Sequence, residues 1–73
     1  MRRVKSHLAR LIDEQYPHLS QRRLARETGL SPTTINLIYL NKFNRIDNTT
    51  LEKLCGYFGI EVGELLYLEE TKD

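Results

Sequence analysis

Apolar residues along the chain recur at helical spacing in a series of short stretches separated by turn formers. Val4, Leu8, Leu11 and Ile12 follow an i, i+4, i+7, i+8 pattern, which predicts an amphipathic helix over roughly Arg3 to Gln15. Pro17 forces Tyr16 out of the helical region, so Tyr16 to Leu19 reads as a connection. Ser20 is a good cap for a helix over Gln21 to Thr28, in which Leu24 and Ala25 face inward. Gly29 can take the positive φ of a sharp helix exit, and Leu30 plugs the corner. Ser31 caps a further helix from Pro32 to about Leu40, where proline at the first position sacrifices no hydrogen bond. Ile35 and Ile38 point inward, which distributes Thr33, Thr34, Asn36, Leu37 and Tyr39 over its sides and outer face.

The second half continues in the same manner. Asn41 tolerates the left-handed conformation that ends a helix, and Asp47 caps a fourth helix over Asn48 to Phe58, closed by Gly59. Leu51, Leu54, Cys55 and Phe58 form its apolar stripe. Val62, Leu65 and Leu66 predict a short fifth helix, although Glu61 replaces a hydroxyl cap and Gly63 weakens it by roughly 1 kcal/mol relative to alanine. Tyr67 and Leu68 extend the apolar character beyond what a small core needs, and Glu69 to Asp73 reads as a frayed tail. The expected organisation is one all-α domain over residues 1–73, with its core between residues 4 and 68.

At 73 residues the chain buries only about 60% of its unfolded surface, so the core is small. The longest apolar runs are a few residues, too short for a membrane span or a signal peptide, which points to the cytosol. The net charge of +1 hides an asymmetry: nine basic residues and three acids up to Arg45, then two basic residues and seven acids. Such a bipolar chain can offer a basic part to phosphate and turn its acidic part away. Cys55, the single cysteine, falls on an apolar helical face and reads as a structural thiol. His7 and His18 lack the paired spacing of metal ligands. No nucleophile, base and acid constellation and no glycine-rich phosphate loop is present, which argues against an enzyme and calls for no cofactor.

Gln21, Ala25, Gly29, Ile35 and Ile38 are spaced as in the helix-turn-helix of the phage Cro and CI repressors, the XRE class, which the chain resembles from about Val4 to Leu66. Lys42, Asp47, Leu51, Leu54, Phe58, Gly59, Ile60, Val62, Leu65 and Leu66 also fall where that family keeps its core and caps. The resemblance implies a five-helix, lambda-repressor-like domain whose second and third helices form the motif. It also implies that Gln21 hydrogen-bonds a DNA phosphate from the start of its helix. Tyr39, Leu40, Asn41 and Lys42 stand where many relatives carry Glu, Asn, Gly, Lys. Leu40 therefore cannot make the polar contact of the family's asparagine, and Lys42, Asn44 and Arg45 are the candidates to replace it. The run Asn44, Arg45, Ile46, Asp47 resembles a subgroup of small regulators in this class.

These readings converge on a small sequence-specific DNA-binding regulator, a Cro-like repressor acting as a homodimer on a pseudo-palindromic operator. Base readers would be Thr33, Asn36 and Leu37 on the recognition helix: asparagine can pair with adenine, and leucine can touch thymine methyls. Phosphate contacts would come from Gln21, Arg22, Ser31, Lys42, Asn44 and Arg45. The apolar end formed by Val62, Leu66, Tyr67 and Leu68 would serve as the dimer contact. No membrane partner or small-molecule effector is expected, and the setting would be the nucleoid of a prokaryote or phage-infected cell. Two other readings stay open. One is a protein-interaction module, such as an antitoxin or antirepressor, using Leu37, Tyr39 and Leu40; the other is a nonspecific nucleic-acid binder.

Overall fold

The computed structural model of the chain describes residues 2–70. The order of elements is β1 (Arg2–Ser6), α1 (Leu8–Gln15), α2 (Gln21–Thr28), α3 (Pro32–Tyr39), α4 (Asn48–Phe58), α5 (Val62–Leu65) and β2 (Leu66–Glu70). Among the described residues the five expected helices are present and the fold is broadly the helical one expected, with an addition: β1 and β2 pair as a short two-stranded antiparallel sheet.

That sheet corrects both ends of the sequence reading. The helical spacing predicts Val4 on the apolar stripe of the first helix, yet it lies in β1 and is 47% exposed. Leu66 to Leu68 leave the fifth helix for β2, and Glu69 and Glu70 are paired strand residues, not a frayed tail. The rest of the expected tail, residues 71–73, lies outside the described residues. The reason for the correction is nonlocal. Arg2 pairs with Glu70, Val4 with Leu68 and Ser6 with Leu66 across nearly the whole described chain, and a helical window around Val4 cannot sense such a partner. Opposite charges reinforce the register, with Arg2 3.9 Å from Glu70 and Lys5 3.9 Å from Glu69. The acids counted as the far, negative pole of the chain thus return beside its first basic residues, and the bipolarity of the sequence is partly cancelled in space.

The helices follow their local signals closely. Ser20, Ser31 and Asp47 each accept the backbone N–H three residues on, from Arg23, Thr34 and Thr50 respectively. Gly29 and Gly59 end α2 and α4 with φ of 77° and 66°, which a residue with a Cβ takes only under strain. Asn41, at φ 59°, ends α3: its N–H reaches the Ile38 carbonyl and that of Lys42 the Leu37 carbonyl, a Schellman closure. At α5 the Glu64 carboxylate accepts the Glu61 N–H, so a glutamate supplies the terminus that lacks a hydroxyl cap. One core cluster gathers Leu8, Ile12, Leu24, Ala25, Ile35, Ile38, Leu54, Phe58 and Leu65. Cys55 packs against it but is only half-buried, and burial pushes its thiol pKa up, with the Glu61 and Glu64 charges adding to the rise.

Candidate nucleic-acid interface

The pairing of α2 and α3 starts with the near absence of a side chain at Ala25, which is buried with Leu24, Ile35 and Ile38 between the two helices and the core. Thr28 tightens the corner: its hydroxyl donates to the Leu24 carbonyl at 2.7 Å and accepts the Leu30 N–H at 3.3 Å. Sequence reasoning missed this role, although a threonine in the last turn before a glycine is its visible signal.

Burying Ile35 and Ile38 fixes what α3 presents outward. Thr33, Asn36, Leu37 and Leu40 follow i, i+3, i+4, i+7 and are all exposed, so the three expected base readers share one face. Leu37 is 38% exposed and Leu40 47%, so neither is a core residue. Tyr39 belongs elsewhere: its hydroxyl donates to Asp13 at 3.2 Å, tying α3 to α1, and that carboxylate raises the phenol pKa. The Ser31 and Thr34 hydroxyls lie 2.8 Å apart, and Ser31 also accepts the Thr34 N–H, so its side chain serves as the cap of α3.

At the start of α2, Ser20 takes the Arg23 N–H and the Leu24 N–H opens the helical ladder. The amides of Gln21 and Arg22 are therefore at the open, positive end of the helix, suited to an anion. Arg22 and Arg26 are exposed, and neither forms an ion pair among the described residues. Arg23 is occupied: it holds Glu27 at 2.8 Å, and Glu27 also accepts the Tyr57 hydroxyl from α4. These bonds, Arg23 first, hold the Glu27 carboxyl below its usual range and raise the Tyr57 phenol.

The loop between α3 and α4 alternates. Phe43 and Ile46 pack against the core, while Lys42, Asn44 and Arg45 are exposed. Phe43 is thus an anchor that holds the three polar residues outward, beside the end of α3. Behind the loop, Ser6 of β1 clasps α3: its hydroxyl donates to the Ile38 carbonyl and its N–H to Asn41 Oδ1, both at 2.7 Å. This link was not foreseen, because nothing local marks Ser6 as a partner of a residue 35 positions away.

The expected dimer residues do not form a single face. Strand geometry puts Leu66 and Leu68 on one side of β2 and Tyr67 on the other. Leu66 packs on the core of its own chain, and Tyr67 stacks on His7 with centroids 4.2 Å apart and rings 19° from parallel. Leu68, 57% exposed, and its cross-strand neighbour Val4 form the apolar pair left open, with Val62 exposed on α5. No helix among the described residues is long and apolar enough to cross a membrane.

A family model described as a Cro/C1-type helix-turn-helix DNA-binding domain matches residues 7–71. No curated protein and no solved structure matches the chain at a significant level.

Proposed function

The chain belongs to the Cro/C1-type helix-turn-helix DNA-binding family, and from that premise we propose that it is a sequence-specific transcription regulator, a Cro-like repressor that acts by occupying its operator. The observation that carries this reading is the outward face of α3, where Thr33, Asn36 and Leu37 stand exposed on a helix anchored by the buried Ile35 and Ile38. Inserted by its capped N-terminal end into a major groove, that face brings a bidentate amide, a hydroxyl with a methyl, and an apolar side chain to base edges. Gln21, Arg22, Lys42, Asn44 and Arg45 would fix register through phosphates on either side.

A homodimer would place two such helices about 34 Å apart, one turn of duplex, on a pseudo-palindromic site. Val4 and Leu68, with Val62, are the surface we assign to that contact. Selection from a random duplex pool at physiological salt tests the whole reading. Enrichment of a two-fold symmetric site supports it, and binding without any sequence preference overturns it in favour of a nonspecific binder.

One observation favours a second reading. Leu37 and Leu40 are exposed together and Leu37 borders a cleft of about 190 Å³ that also involves Phe43 and Ile46, an apolar surface suited to a protein partner. An antitoxin-like or antirepressor-like module would bind through these residues, show little salt dependence and select no duplex.

A further inference from the structure

The outer edge of β1 and the loop after α3 enclose a cleft of about 210 Å³, lined by Arg3, Val4, Lys5, Asn41, Phe43 and Asn44. We propose that this cleft is a second phosphate site for duplex DNA, built by β1 outside the helix-turn-helix, with Arg3 as its principal cation. The inference rests on the DNA-binding reading above and adds a strand to its interface.

The lining carries donors and no carboxylate. Arg3 and Lys5 bring two positive charges, and Asn44 an amide. The backbone adds a donor. The Ser6 N–H leaves the sheet to reach Asn41 Oδ1, and because alternate N–H groups of a strand point the same way, the Val4 N–H faces the cleft side as well. Arg2 and Lys5 each have a glutamate partner in β2, whereas Arg3 forms no ion pair among the described residues. Its cross-strand neighbour Glu69 is drawn to Lys5 instead. A guanidinium left unpaired above a cleft of donors matches the planar, bidentate demand of a phosphodiester.

Position argues for duplex phosphate in particular. Asn44 lies in the loop that also holds out Lys42 and Arg45, and Phe43 lines both this cleft and the one beside Leu37 of α3. The two Ser6 hydrogen bonds join β1 to the end of α3, so while the sheet is formed Arg3 is set at one offset from the base-reading face. A cation so placed helps define register on the backbone without adding sequence preference.

The test is a salt series of binding to a duplex carrying the selected site, read by fluorescence anisotropy, with thermal unfolding as a check on the fold. R3Q should lower the slope of log affinity against log salt by about 0.9, and R3Q combined with K5Q by up to about twice that, with base preference unchanged. R3K, which keeps the charge, should restore the slope. R10Q, which removes an arginine already held by Glu14 at 2.7 Å, should leave it as in the parent chain. If the parent chain binds and the R3Q/K5Q variant shows its slope and affinity, or if R3K leaves the slope at the R3Q value, the cleft is not a phosphate site. If the parent chain binds no duplex, the DNA-binding reading itself falls, and the site with it.

Discussion

The Ser6 hydroxyl donates to the Ile38 carbonyl at 2.7 Å, joining the first strand to the last turn of the recognition helix. The Ser6 N–H donates to Asn41 Oδ1 in the residue that closes that helix, so two bonds from one buried serine hold β1 against α3. Loss of either partner leaves a polar group without its mate inside the protein. S6A should lower unfolding stability by about 1–2 kcal/mol in urea titrations. N41G removes the acceptor but suits the left-handed backbone, whereas N41A removes the acceptor and adds strain, so N41A should be the less stable of the two.

Gly56 is a helix-interior glycine of α4, exposed, and a Cβ built there meets nothing within 4 Å. G56A should therefore stabilise the protein by about 0.5–1 kcal/mol, by restricting the unfolded chain more than the folded one. The same change at Gly29, at φ 77°, should destabilise it. Paired thermal melts check both signs.

Asp47 and Glu27 are both held below their ordinary pKa, Asp47 by the Thr50 side chain and N–H, Glu27 by Arg23 and then Tyr57. A depressed folded pKa means the unfolded chain takes up the proton first. The stabilisation is present above the ordinary carboxylate range of about pH 4 and is lost as pH falls through the lower folded values. D47N, which keeps a capping side chain without the charge, should flatten the acid limb of a plot of urea midpoint against pH.

Asn36 and Arg22 should fail differently. N36A should erode discrimination among duplexes, at about 1–3 kcal/mol for the base pair it reads. R22Q should weaken all duplexes nearly alike and reduce the salt slope by about one. Competition binding against single-base variants of the selected site separates the two.

Leu68 is exposed beside Val4 on the sheet, and L68K puts a charge into the surface assigned to the dimer. Sedimentation equilibrium should show a monomer at concentrations where the parent chain is dimeric, with an unchanged melting profile when both are diluted below association. A parent chain that stays monomeric on its operator would remove this assignment.

The helices and their ends were legible because their causes are local: Ser20, Ser31 and Asp47 cap, Gly29, Asn41 and Gly59 terminate, and Ile35 and Ile38 orient α3. The exposure of Thr33, Asn36 and Leu37 followed from the same helical period. What the sequence concealed was pairing at a distance. Val4 and Leu8 satisfy a helical spacing as well as Val4 satisfies a strand, and only Leu68, distant in sequence but opposite Val4 on the sheet, decides between them. Ser6 with Asn41 and Tyr57 with Glu27 escaped notice for the same reason, since each joins residues 30 or more positions apart. Tyr67 follows the same logic: once its segment is a strand, its ring turns to His7 and away from Leu68.

The register that sets Arg2 opposite Glu70 closes a loop around all five helices. Closure of a loop that long is entropically the most demanding contact in the molecule, and it stabilises little until the helical core around Leu8, Leu54 and Leu65 is already packed. The ladder should accordingly assemble after the helices and open before them, so its amides exchange with solvent well ahead of those of α2 and α4. Because Ser6 belongs to that ladder, the grip on the end of α3 would come and go with the sheet, and the time the recognition helix spends fully braced would be set by the least local contact in the fold.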